Sequence, residues 1–169
     1  QGAGVTGRRA AATWLGLAAA MLAAVPAMAD KPRWDRKANV TEAAERLSKL
    51  HKRSGSEGVL KFLDACYRTH ALASKFSAAM EGCMAQDYAH SRVLVAIYEK
   101  LPDAVRAERK LPSAGAIASA MNARFDSVAG QYGLKQDEIK AMKDDFEAHA
   151  VPVFLKSAFP QGGGEAKPK

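Results

Sequence analysis

The chain contains no C-x-x-C pair, no H-E-x-x-H, no P-loop and no C-x-x-C-H haem-attachment motif. Each of these is a spacing that its chemistry depends on, so their absence speaks against dithiol redox catalysis, zincin-type hydrolysis, P-loop nucleotide binding and c-type haem attachment. Cys66 and Cys83 are the only thiols. After residue 29 no apolar run reaches the roughly 18 residues that a membrane span requires. Clusters of β-branched residues are few, which speaks against strands, and no self-similar period of roughly 20 to 50 residues suggests a solenoid. Basic residues gather at His51-Lys52-Arg53, between Arg106 and Lys110, and at Lys167 and Lys169, but acidic residues are interspersed elsewhere. The balance is that of solvated helix faces and not of a nucleic-acid binder.

The first 29 residues carry the clearest positive signal. Arg8 and Arg9 precede the apolar stretch from Ala10 to Ala24, and Pro26 leads into the small triplet Ala27-Met28-Ala29. A charged n-region, a short apolar core and an A-x-A site form a secretory signal peptide, with cleavage expected after Ala29. The protein is therefore expected in the periplasm or the extracellular space. The leader holds two of the 25 basic residues and none of the 18 acidic ones, which leaves a mature chain of 140 residues with a net charge of +5. That length suits one domain with a real core. The expected organisation is an extended segment over 30–40, one helical domain over 41–160 and a flexible Gly-rich tail over 161–169.

Within the domain the periodicity is helical almost throughout. The fold expected is all-α, a small bundle of about five or six helices. Thr41 can cap a helix to about Arg53, with a stop at Ser54-Gly55. Ser56 opens a second helix whose stripe is Val59, Phe62, Leu63, Cys66, Tyr67 and His70. A third runs from about Lys75 to Leu101, bringing Phe76, Met80, Cys83, Met84, Leu94, Ile97 and Tyr98 inward before Pro102 ends it. Ser113 caps a fourth that stops at Gly133. A fifth opens at Asp137-Glu138, and Pro152 forces a break near Ala150 before a short last helix. Trp34 is expected to fasten the N-terminal segment to the domain.

In an exported chain two buried cysteines predict one disulfide, Cys66–Cys83. One unbroken helix would hold them about 25 Å apart, whereas a disulfide needs Cα atoms within about 7 Å. The chain must turn between them, and the midpoint falls at Ser74-Lys75. The alternative is a metal or redox site made from Cys66, His70, Cys83 and His90, with Asp87 orienting a ligand. Its spacing matches no standard zinc pattern, and oxidation would consume the thiolates.

Asp87, His70 and His90 are the buried polar candidates. Asp87, His90 and Ser91 do not make a triad, because neighbours on a helix point in different directions. No catalytic residue and no cofactor is assigned. The function expected is a non-enzymatic binding or interaction module with a protein partner in the cell envelope, without specific nucleic-acid binding or a membrane span after cleavage. Nothing in the sequence marks an oligomeric state.

Overall fold

The computed structural model describes residues 34–159. The leader and its cleavage site lie outside the described residues, as does the 161–169 tail. Among the described residues six helices follow one another: α1 (Arg36–His70), α2 (Ala78–Tyr98), α3 (Asp103–Glu108), α4 (Ala114–Tyr132), α5 (Gln136–His149) and α6 (Val151–Ala158). Among the described residues there is no strand, and no helix is long and apolar enough to cross a membrane. The fold is an all-α bundle.

The first helix begins earlier than Thr41. Asp35 caps it by accepting from the Ala38 N–H at 3.0 Å, and Thr41 is an interior residue whose hydroxyl donates to the Lys37 carbonyl. Residues 36–40 are thus helical where an extended segment was expected, because an aspartate at the N-cap satisfies an orphan amide as well as a threonine does. α1 breaks where Ser54-Gly55 predicts. Gly55 takes φ +60° and ψ −171°, a backbone conformation that a Cβ would penalise. The helix restarts immediately, and a Cβ at Gly58 would overlap that of Ser54. Both glycines of the G-S-E-G sequence are accounted for, one by its dihedral and the other by close approach.

The two halves of α1 run in opposite senses against α2. In the first half Arg36 and Asn39 bond Glu81, Ala43 accepts from Gln86, and His51 lies beside His90, so both helices advance together. The second half runs alongside α4, from Tyr67 near Arg124 to His70 beside Tyr132. α4 is itself antiparallel to α2: Val128 shares a groove with Met80, and Ala118 shares another with Val95. The reversal at Gly55 therefore gives α2 neighbours on several sides.

α2 is the centre of the bundle, buried on almost every face from Met80 to Ser91. Ser77 caps it by accepting from the Met80 N–H, three residues later than the Ser74 turn suggests. At its other end it stops at Tyr98, before Leu101, and Arg106 of α3 donates to the carbonyls of Tyr98 and Leu101. This one-and-a-half-turn helix has no sequence counterpart above, since its apolar pattern is too short to register. Ser113 and Gly133 delimit α4 as expected, Gly133 in the left-handed region at φ +66°. α5 starts at Gln136, where Glu138 accepts from the Lys135 N–H at 2.7 Å.

Phe125, Phe146 and Phe154 are fully buried, and the first two meet edge to face at 6.2 Å. Burial of each such ring stabilises the fold by roughly 1.5–3 kcal/mol. Phe62 departs from the expected stripe and is 39% exposed. The second half of α1 meets its neighbours through the narrower row Val59, Leu63 and Cys66, which leaves position 62 on the edge. Ile97 is likewise 40% exposed, at the depression between α2 and α6.

Candidate functional site

The disulfide joins Cys66 on the returning half of α1 to Cys83 on α2, with Cα atoms 5.9 Å apart. The chain turns between them through residues 71–77, centred on Ser74. His70 lies against this bond: one of its ring nitrogens and the two sulfurs fall within 4.8 Å of one another. The sulfurs are bonded to each other and offer no thiolate, which leaves the group without the ligands that a soft metal needs. His90 is not part of this cluster. It packs instead against His51 of α1 and Phe154 of α6, with ring centroids at 6.5 and 6.4 Å. The four residues of the metal alternative are therefore divided between two places.

Two carboxylates sit on the central helix with no exposed surface, Glu81 and Asp87. A buried charge is tolerated only with partners, and both have them. Glu81 accepts from the Trp34 indole at 2.6 Å, from Arg36 Nε at 2.6 Å and from Asn39 Nδ2 at 3.0 Å. These contacts tie the N-terminal segment down, with Trp34 also tilted against Phe76. Asp87 is held more tightly still. Arg124 of α4 grips it through Nε and Nη2, both at 2.7 Å, Tyr67 of α1 donates at 2.9 Å, and Ser91 donates at 3.1 Å. One carboxylate thus links three helices. Burial and the neighbouring carboxylate push the Tyr67 hydroxyl well above the usual phenol range, so it remains a donor. The bond to Asp87 likewise raises Arg124, whose charge is permanent.

Above this cluster α1 and α4 separate to form a groove of about 430 Å³. Leu60, Leu63, Ala71, Met80 and Val128 supply apolar walls, Tyr67 and Arg124 line its polar side, and Asp64, Arg68, Ser127 and Gln131 complete the lining. The volume lies within the ordinary range for small-molecule sites, and so does the ratio of many apolar groups to a few fixed polar ones. A second depression of about 400 Å³ lies between α2 and α6, bounded by Ile97, Leu155 and Phe159. Its charged residues are exposed, Arg92 and Glu147 pairing with each other at about half exposure and Lys100 standing at the surface, so none is a buried polar group fixed beneath it.

His90 is the exception to polar satisfaction. It is 1% exposed and neither ring nitrogen has a hydrogen-bond partner among the described residues. Burial, reinforced by His51 and Arg124 and opposed by Asp87, lowers its pKa to about 4. It is a neutral core residue at pH 7.

The sequence pointed to Asp87 but not to its partners. Arg124 was the findable one: it interrupts the apolar series Met121, Phe125, Val128 on the inward face of α4, where a charge requires a counter-charge. Glu81, between Met80 and Met84, gives the same signal on α2. The chain matches no protein-family model, no curated protein and no solved structure. Its function rests on its own geometry.

Proposed function

We infer that this protein is a small exported helical binding module of the periplasm or extracellular space, without catalytic activity of its own. The groove between α1 and α4, above the Asp87–Arg124–Tyr67 cluster, carries the reading. It offers a preformed apolar surface with a guanidinium fixed by a buried partner, which is what a ligand site needs and a passive bundle does not. Export is supported by the leader pattern at residues 1–29 and by the disulfide, a bond that persists in oxidising compartments. The absence of catalysis is supported by the state of the buried acids: Glu81 and Asp87 are each held by several donors, an arrangement that fixes architecture instead of moving protons.

Two measurements test this. Intact mass of the protein recovered from an envelope fraction should correspond to a chain starting at Asp30; a product retaining residues 1–29 counts against export. Ser127 is exposed and borders the groove, so Ser127→Trp should fill it without touching the core. Ligands from a lipid and metabolite extract of the envelope should raise the wild-type melting temperature and leave the filled variant unchanged. Equal responses from both proteins would remove the groove from the argument.

A further inference from the structure

We propose that the α1/α4 groove takes an acyl carboxylate, an unbranched apolar chain ending in one carboxylate that sits on the open edge of Arg124. The proposal rests on the groove being the binding site. A guanidinium has five N–H donors. Asp87 occupies the Nε donor and one on Nη2, and Tyr67 faces one more, so two N–H donors remain for a ligand, and the side chain, 39% exposed, lines the groove. The guanidinium is held in place by a carboxylate that no ligand can reach, since Asp87 has no exposed surface. A planar fork pre-set in this way suits a carboxylate better than a compact cation would.

Arg68 on the rim adds a second cation. Its tie to Asp64 joins two well-exposed side chains, a pairing too weak to hold it back from a ligand.

The walls select against a peptide. Leu60, Leu63, Met80 and Val128 are side chains on helices whose backbone groups are already bonded, and Ala71, just past the end of α1, has its N–H on the Tyr67 carbonyl and its own carbonyl on Gln131. An extended peptide would bring amide groups that find no partner there, whereas an acyl chain brings none. A docked helix would satisfy its own backbone but needs about 800 Å² on each side, more than so small a groove presents.

The experiment is calorimetric titration of the mature protein with decanoate, decanol and decyltrimethylammonium below their micellar concentrations, together with an apolar hexapeptide bearing a free C-terminus. Decanoate should bind at least about tenfold more tightly than decanol, the value of one charge-assisted bond, and the cationic analogue should bind least. Ser127→Trp should abolish binding. Arg124→Lys, with its fold checked by circular dichroism, should lose the preference for decanoate while keeping affinity for decanol. Arg68→Gln, on the exposed rim, should weaken decanoate about two- to fivefold.

Decanol bound as tightly as decanoate, with both excluded by Ser127→Trp, overturns the carboxylate and leaves the groove standing. Decanoate binding that survives Ser127→Trp overturns the class and the groove together. A hexapeptide that displaces decanoate at equal concentration overturns the acyl ligand in favour of a chain terminus.

Discussion

Lowering the pH from 7 to 4 should destabilise this protein, with His90 contributing about 3 kcal/mol of the loss. The ring is 1% exposed, lies between His51 and Phe154, and has no hydrogen-bond partner on either nitrogen. Its pKa is about 4 in the folded chain, against 6.5 for an ordinary histidine. Above pH 6.5 the ring is neutral in both folded and unfolded chains, and the fold is unaffected. Between 6.5 and about 4 the unfolded chain holds a proton that the folded one refuses, so each unit of acidification favours unfolding by up to 1.36 kcal/mol. Below about 4 both states are protonated and the loss is complete. Over the whole window it comes to about 3 kcal/mol, a large part of the 5–15 kcal/mol typical of a domain.

Urea unfolding of the wild type and of His90→Leu at several pH values between 7.5 and 4 isolates this contribution. Leucine has similar volume and no polar atoms, so it should be at least as stable at pH 7.5, where the wild type leaves two ring nitrogens unsatisfied. Its advantage should then grow by about 3 kcal/mol as the pH falls to 4. The Asp and Glu titrations common to both proteins cancel in the difference. A constant difference across the window would refute the reasoning, and so would an NMR titration placing His90 near 6.5 in the folded protein.

Four further outcomes follow from the packing. Reducing Cys66–Cys83, which closes a 17-residue separation, should cost about 3 kcal/mol in urea unfolding with and without reductant, and an unmoved midpoint would deny the bond its structural role. Asp87→Ala should destabilise by about 3–5 kcal/mol by leaving Arg124 with a half-buried, unpaired charge, and a double-mutant cycle with Arg124→Met should show coupling above about 1 kcal/mol; additive losses would mean the pair does not act as a unit. Gly58→Ala should destabilise by about 1–3 kcal/mol because the new Cβ meets that of Ser54. Gly130→Ala, in the same kind of helical backbone with open space around it, should stabilise by about 0.5–1 kcal/mol, and thermal melts showing the same sign for both would separate the effect from steric contact.

The helices were legible because their signals are local. Ser113 and Gly133 mark α4 through one side-chain bond and one left-handed dihedral, and each needs only its neighbours in sequence. Gly55 announced a break for the same reason. That the second half of α1 runs against α2 follows from the Cys66–Cys83 pairing, but that the first half runs with α2 depends on contacts 39 or more residues apart and could not be read from spacing. α3 escaped because six residues carry too little period to separate them from a turn.

The site illustrates the same limit from the side of the charges. Cys83 and His90 do share a helix face, but seven residues amount to about 10 Å along the axis, so a common face does not place them in one coordination sphere. His90 reaches His51 and α6, while Cys83 reaches Cys66. Asp87, Glu81 and Arg124 were each visible as charges on apolar stripes, and every such residue implies a partner on another element. Which partner it is can be decided only by the packing angle between helices, because either carboxylate could in principle have met either arginine. The assembled pairing sends Arg36 to Glu81 and Arg124 to Asp87. A swap would drag α1 and α4 along α2 by the six residues between the two acids, about 9 Å or nearly two turns, and would bury charges without matching donors. The two buried acids thus act as register marks on the central helix, and the groove above Asp87 exists because that register places Arg124 and Tyr67 side by side.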